Sequence, residues 1–310
     1  MNEYFVSVIV ATKDRPEDLS RMLTSLSLQT RKPDQVVVVD ASIDPVEVVA
    51  KGFPELNLVY ERHWPPSASA QRNAGILLCA PEAAFVGFMD DDTTFEADAF
   101  EKMMEFWRNA REDLLGASFN LLNYEMPAGQ SLKRSKLTNW LGLYSSTPGG
   151  VAQSGWQSIF GRVSDTCHVD WLPSGAVLWR SNVLQTARFD EFYTGYSYLE
   201  DLDFSFGVSR KGKLAVVAEA GYCHFPSPHG RASLRNFGRV EVRNRVHFVR
   251  KHGLSTLRCY VCVLGRFVMT LLQCLNSPGC GNLGRALGNL EGLVSAKTHG
   301  TVKLQVSHSE

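Results

Sequence analysis

The stretch Ala83-Ala84-Phe85-Val86-Gly87-Phe88-Met89-Asp90-Asp91-Asp92-Thr93-Thr94 decides how this chain is read. Its opening residues, 83–89, are apolar and of strand length. Three adjacent carboxylates follow, and a helix-like pattern runs from Glu96 to Arg108. The acids therefore stand where a buried strand ends and a helix is about to begin. That is the carboxyl edge of a sheet, where open α/β folds bind ligands. Three neighbouring like charges repel, and an apolar setting penalises their ionised form. A divalent cation relieves both costs. Mg²⁺ or Mn²⁺ takes oxygen ligands, commonly one or two carboxylates together with substrate phosphates. Capping the next helix would need only one Asp. The triplet predicts a metal site.

Upstream, Phe5 to Ala11 is rich in β-branched residues and reads as a buried strand. Thr12-Lys13-Asp14-Arg15 breaks it. Pro16, followed by Glu17 and Asp18, suits a helix start, and Leu19, Met22, Leu23 and Leu26 repeat at helical spacing. Gln35 to Val39 is a second strand, ending at Asp40. Its unbroken apolar run indicates a parallel strand covered on both faces. Strand, helix, strand at this spacing is a βαβ unit, which puts both strand ends on one edge. Leu56 to Tyr60 predicts a third strand, Pro65 and Pro66 a loop, and Ala68 to Leu78 a helix with Gln71, Arg72 and Asn73 in its first turns. Thr12, Arg15, Asp40, Arg72 and Asp90 to Asp92 then line one cleft.

Downstream, Gly116 to Leu121 predicts a strand, and 126–168 a long irregular insert of the kind that serves as a lid or binding loop. Order resumes at Val169 to Trp179. The pattern from 200 to 211 is helical, Leu214 to Ala218 is a short strand, and Cys223-His224-Phe225 extends an edge. Ala232 to His252 is helical and basic, with Arg231, Arg235, Arg239 and Arg243 forming a slowly drifting stripe. Thr256 to Leu275 is mostly apolar and long enough to span a bilayer, but Arg266 stands in its middle. An interfacial or partner-covered amphipathic helix is expected there rather than a span. From about 277 the chain is Gly-rich and weakly patterned.

Length allows one large domain with an appendage, or two domains. Formal net charge is +0 but unevenly spread. Residues 1–206 carry 17 Lys+Arg against 28 Asp+Glu, and residues 207–310 carry 15 against 4. An acidic front half fits metal binding, and a basic tail suits phosphates or lipid headgroups. The 7 cysteines are odd in number and scattered. Cys259 and Cys262 lack a second pair for zinc, so buried thiols are expected. Reduced cytosol fits this usage, and the amino terminus lacks the basic start of a signal peptide.

Taken in order, Ala11-Thr12-Lys13-Asp14-Arg15, Val39-Asp40-Ala41-Ser42, Ala70-Gln71-Arg72-Asn73-Ala74-Gly75, Asp90-Asp91-Asp92 and Leu199-Glu200-Asp201-Leu202-Asp203 resemble a family 2 glycosyltransferase of the GT-A fold. The resemblance covers roughly residues 5–250. It implies an α/β fold with a mostly parallel sheet flanked by helices, and a carboxy-terminal helical extension. On this reading 1–230 is the catalytic domain, with a nucleotide part at 1–120 and an acceptor part at 121–230. Residues 231–310 form the basic, amphipathic helical region.

The resemblance further implies transfer of a sugar from a nucleotide-diphosphate donor to an acceptor hydroxyl, with inversion and with Mn²⁺ or Mg²⁺. Asp90 and Asp92 face the metal and the ribose, with Asp91 as a third acid on the nucleotide-sugar side. Thr12 and Arg15 contact base and ribose, Asp40 contacts the base, and Arg72 lies near base and diphosphate. Asp201 is the catalytic base and Glu200 positions the acceptor. His224 matches a further metal ligand, while Trp171 and Gly175 match the acceptor side. A lone His is more often structural, and Trp171 can equally be core.

The partners expected are a sugar-nucleotide donor and a saccharide or lipid-linked acceptor, with no nucleic acid. Residues 231–275 are expected to meet a membrane surface or a second copy. The place expected is the cytoplasm, peripheral on the inner face of the cell membrane, in polysaccharide or glycolipid synthesis. Two rivals remain. A sugar-nucleotide nucleotidyltransferase would carry a Gly-rich phosphate loop after the first strand, which Ala11 to Pro16 lacks. A non-catalytic glycan- or lipid-binding scaffold would have no need of Asp201 beside Asp90 to Asp92.

Overall fold

Three strands, Val6–Thr12, Gln35–Asp40 and Phe85–Asp90, bury almost all of their residues and set the frame. The computed structural model describes residues 4–124, 136–195, 197–227, 233–276 and 282–298. The chain divides into two compact units, Met1–Ala152 with Gln157–Arg231, and Gln153–Trp156 with Ala232–Glu310.

In the first unit β1 (Val6–Thr12) leads into α1 (Pro16–Ser27), β2 (Gln35–Asp40), α2 (Glu47–Lys51) and β3 (Leu58–Arg62). Then come α3 (Ala68–Leu78), β4 (Phe85–Asp90), β5 (Thr93–Phe95), α4 (Ala99–Arg108) and β6 (Leu114–Leu121). After α5 (Lys136–Trp140), β7 (Cys167–Val169), β8 (Ala176–Arg180), α6 (Ser181–Thr186) and α7 (Glu200–Ser209), β9 (Lys213–His224) closes the unit. Among the described residues the sheet has the order β3-β2-β1-β4-β8-β6-β9-β5, with β7 also on β9. The β3-β2-β1-β4 half is parallel. Parallel pairing aligns the strand ends, so Thr12 lies beside Asp40 and Ala11 beside Asp90. β8 runs antiparallel to both β4 and β6, and the sheet is mixed from there on.

The helices form for local reasons. α1 starts on Pro16, has Glu17 and Asp18 in its first turn, and buries Leu19, Met22, Leu23 and Leu26 against the sheet. Pro suits a first helical position because its missing N–H has no partner to lose there. α4 buries Phe100, Met103, Met104 and Trp107 on one face. Phe95, Phe100 and Phe119 meet with ring centroids 5.0–5.4 Å apart, so the core continues behind the acid triplet. Each fully buried ring of this kind contributes roughly 2–3 kcal/mol.

Several boundaries differ from expectation. The third strand runs 58–62 rather than 56–60. Leu214 to Ala218 and Cys223-His224 belong to one strand of 12 residues. Its register against β6 shifts between Phe119 and Asn120, and beyond the shift it pairs with β5. That three-residue strand directly after the acids was invisible to periodicity because it is too short to show a period. In the insert expected over 126–168, positions 126–135 lie outside the described residues, and α5 and the start of β7 are its regular parts.

The second unit comprises α8 (Leu234–Lys251), α9 (Thr256–Asn276) and α10 (Asn282–Thr298). α10 stands where the sequence looked weakly patterned. Its glycines explain both facts. A Cβ on Gly288 would lie 1.9 Å from the Arg235 carbonyl oxygen, and one on Gly292 2.7 Å from that of Arg239. The glycines let the α8 and α10 backbones approach closely, and they erase the apolar period that would have announced a helix. Arg231 of the expected basic stripe lies outside the described residues. Arg235 pairs with Glu291 of α10, and Arg239 donates to Asn236 at 2.8 Å. Cys259 and Cys262 are buried, as expected, and burial pushes the Cys259 thiol up to about 11.

Candidate active site

Parallel strand ends deliver Thr12, Asp40 and Asp90 to one edge. The turn after β4 then sorts the three acids into different surroundings. Asp91 points into the protein and is 3% exposed. It accepts a hydrogen bond from the Thr12 hydroxyl at 2.7 Å and one from the Arg15 guanidinium at 3.0 Å. Burial pushes its carboxyl up to about 7, although Arg15 and Thr12 favour the ionised form. Thr12, Arg15 and Asp91 thus form one internal cluster that fixes the β1 loop against the β4 turn.

Asp92 turns toward the end of β9. Its Oδ1 lies 3.0 Å from His224 Nε2, and the Ser227 N–H donates to Oδ2 at 3.1 Å. Burial opposes its ionisation, but His224 and Ser227 outweigh that and hold its carboxyl below the ordinary value. His224 is shifted the other way. Burial disfavours the imidazolium, yet the Asp92 hydrogen bond and the charges of Asp90 and Asp92 raise its pKa. Thr93 of β5 pairs with His224 of β9, so the short strand fixes the distance between acid and imidazole.

Asp90 faces the third direction. One donor atom each from Asp90, Asp92 and His224 all lie within 4.8 Å of one another. Two carboxylate oxygens and an imidazole nitrogen suit Mn²⁺, or Mg²⁺ with less use of the nitrogen. The residues present therefore fit a divalent cation. Gly175 makes room for this. Its carbonyl accepts the Asp90 N–H at 2.9 Å, and a Cβ there would stand 2.8 Å from Asp90 Oδ2.

Arg72 joins this group to the other side of the cleft. It is 6% exposed, and it donates to Asp90 Oδ1 at 3.0 Å and to Glu200 Oε1 at 2.9 Å. Its guanidinium carbon lies 5.4 Å from the centre of the Phe189 ring. Asn73 and Phe189 exchange two hydrogen bonds of 2.9 Å each, which hold that ring in place. Glu200 and Asp201 open α7 behind Leu199, whose φ of 78° is left-handed. A bulky side chain seldom adopts that backbone, and such strain collects at functional sites. Burial raises the carboxyl pKa of both Glu200 and Asp201, and the charge of Asp201 adds to the effect on Glu200. Asp203, one turn on, is buried near Tyr193 and is structural.

Two residues singled out from the sequence lie in settings of a different kind. Asp40 is fully buried, and its oxygens accept from the Ser42 and Val46 N–H groups, the Tyr60 hydroxyl and Arg62, at 2.5–3.0 Å. The role it displays is to hold the turn after β2. Trp171 is 6% exposed, donates to the Ser158 carbonyl at 3.1 Å and packs on Phe160, so it forms part of the wall. Sequence reading assigned nothing to Ser227, Asn73, Phe189 or Gln71. The Gln71 amide bridges the Thr12 and Val39 carbonyls at 3.0 and 2.9 Å, tying β1 to β2 at the cleft. The run Gln71-Arg72-Asn73 was the available signal, since three polar residues in one turn of a packed helix need three partners.

The profile of the family described as "Glycosyl transferase family 2" matches residues 7–150. The succinoglycan biosynthesis protein ExoM of Rhizobium meliloti (strain 1021) is 26% identical over 264 residues, 80% of this chain and 77% of that protein. Among solved structures, S. aureus TarS 1-349 covers 97% of this chain and 76% of its own, with a TM-score of 0.51 and 19% identity. The same protein in complex with UDP-GlcNAc gives a TM-score of 0.52. GalNAc-T7 with UDP, GalNAc and Mn2+ gives 0.54 at 12% identity, covering 78% of this chain and 48% of its own. These structural likenesses concern the fold.

Proposed function

We propose that the chain is a family 2 glycosyltransferase on a GT-A fold, inverting and dependent on a divalent cation; the profile match over residues 7–150 and the ExoM likeness support the family. The observation that carries the reading is the Arg72 bridge. One buried guanidinium binds Asp90 on the cation side and Glu200 beside Asp201 on the other, so both sets of acids meet at one side chain.

Inversion asks for a single displacement. The acceptor hydroxyl oxygen bonds to the anomeric carbon as the bond from that carbon to the diphosphate oxygen breaks. The nucleoside diphosphate leaves with the electron pair. The hydroxyl proton passes to the Asp201 carboxylate, which is the general base. Burial makes Asp201 a stronger base than an exposed Asp, and the Glu200–Arg72 pair orients the turn that carries it. A cation held by Asp90, Asp92 and His224 would supply Lewis-acid charge to the leaving diphosphate. Thr12, Arg15 and Asp91 shape the nucleoside side, Asp40 supports it from below, and Gly175 and Trp171 form the acceptor wall.

The donor is a nucleotide-diphosphate sugar. The UDP and UDP-GlcNAc complexes of a structural neighbour make uridine diphosphate sugars the first to try. The likeness to a succinoglycan biosynthesis protein supports a place in polysaccharide synthesis, and a saccharide or lipid-linked acceptor reached from the cytoplasmic side completes the proposal. The test is a thermal-shift panel of nucleoside diphosphates and sugar nucleotides with and without Mn²⁺, run on wild type and Asp201→Asn. Binding to the folded state raises stability by mass action. A Mn²⁺-dependent rise is expected in both proteins, with transfer lost only in the variant. Transfer that survives in Asp201→Asn removes the base assignment.

A further inference from the structure

The second unit leaves an apolar face uncovered. On α9, Leu257, Val261, Leu264, Val268, Met269 and Leu272 are 46–75% exposed. At 100° per residue they spread over an arc of about 140°, and exposed Leu271 widens it to about 160°. A helix-pair seam is narrower, whereas a helix lying in a lipid interface presents a face this broad. Thr256–Cys274 has a mean hydropathy of 1.4, and only 22% of that stretch is buried. α10 adds an exposed row at Leu283, Leu287, Leu290 and Val294.

The opposite face of α9 argues against a span. Cys259, Cys262, Val263 and Thr270 are buried, and Arg266 pairs inward with Glu241 at 3.2 Å. The helix is thus one side of a packed helical unit, not a rod surrounded by lipid. Charge says what covers the apolar side. Among the described residues the acids of this unit are Glu241 and Glu291, and both are neutralised within it. Glu241 is held by Arg266 and Arg285, and Glu291 by Arg235. Arg250, Lys251 and Arg258 are exposed around the start of α9. An apolar face bordered by cations at one end complements an anionic lipid surface, where each Lys or Arg adds electrostatic attraction.

We propose that the exposed face of α9 and α10, with Arg250, Lys251 and Arg258, seats the protein on an anionic membrane surface without spanning it. The inference stands apart from the assignment of Asp201 and the cation ligands. The experiment is flotation of the full chain with phosphatidylcholine vesicles, with and without a quarter of phosphatidylglycerol, at low and high salt. Binding is expected only with the anionic vesicles, and weaker at high salt. Leu264→Glu/Val268→Glu places charges on the exposed face and should reduce binding at least tenfold. Arg250→Glu/Lys251→Glu/Arg258→Glu should remove the salt-sensitive part. The Mn²⁺ and nucleoside diphosphate thermal shift serves as the fold control for both variants, so loss of lipid binding is separable from failure of the active-site reading. No flotation of the wild type overturns the proposal, and so does unchanged flotation of the Leu264/Val268 variant. A wild-type dimer in light scattering that becomes a monomer in that variant, with no vesicle binding, overturns it in favour of a second copy.

Discussion

Single residues in the cleft work by exclusion as much as by contact. Gly175 leaves the space that Asp90 Oδ2 occupies, so Gly175→Ala should displace that carboxylate while the strand that follows it persists. Mn²⁺ affinity, read by isothermal titration, is expected to fall at least tenfold with little change in melting temperature. His224 should govern the pH dependence of the same binding. Its raised pKa means that a proton competes for the nitrogen from higher pH than for an ordinary His, so Mn²⁺ affinity drops as pH is lowered through that value. In its proposed role as general base, Asp201 acts in its ionised form. Because burial raises its pKa, transfer should decline on acidification from a higher pH than a solvent-exposed Asp would allow. Its replacement by Asn is expected to lower kcat by a factor on the order of 10²–10⁴. A pH profile of kcat is the check: loss beginning only in the ordinary carboxylate range would contradict the burial argument.

Elements are held by buried polar residues at their ends. Arg72 ties α3 to the ends of β4 and α7, and removing it would leave Asp90 and Glu200 facing each other uncompensated. Arg72→Ala should cost about 3 kcal/mol at neutral pH by urea denaturation. Lys at this position cannot hold both acids with one planar fork, so Arg72→Lys should recover only part of the loss. Asp40 does the same for the turn between β2 and α2. Its four hydrogen bonds outweigh the burial cost and keep its carboxyl below the usual range. A lowered folded pKa contributes stability above the unfolded value and loses it as pH falls through the folded one. Asp40→Asn is therefore expected to destabilise by about 2–4 kcal/mol at pH 7, and by less once the medium is acidic enough to protonate the wild-type acid. In the second unit, Gly288→Ala forces a methyl against the Arg235 carbonyl and should cost about 1–3 kcal/mol through separation of α8 from α10.

At the scale of the whole molecule, the proposals assign the chemistry to the first unit and the lipid-facing surface to the second. Donor binding should therefore protect amides at the ends of β1, β4 and α7 from hydrogen exchange, with residues 256–274 unchanged unless anionic vesicles are present. The sequence by itself determined the parallel half of the sheet. Strands such as Val36-Val37-Val38-Val39 bury both faces, and an unbroken apolar run of that length has few other homes. It also determined that Asp90, Asp91 and Asp92 mark a strand end, because charge cannot continue into such a core. The starts of α1 and α3 were equally legible, being set by Pro16 and by the Pro65-Pro66 break. The division of labour among the three acids was not legible, since adjacent Asp residues have the same chemistry. It depends on Thr12 and Arg15 arriving from β1, Arg72 from α3 and His224 from β9, contacts across long sequence distances. Asp40 was expected to contact the base and Trp171 to face the acceptor or lie in the core, and only packing revealed the hydrogen bonds that each makes within the protein. α10 was hidden because its glycines serve close contact with α8, and interhelix approach leaves no period in a single strand of text. Local energetics fixed the elements near the first four strands. The roles within the cleft and the packing of the last helix were decided by which distant residues share one space, and that is a property of the tertiary structure alone.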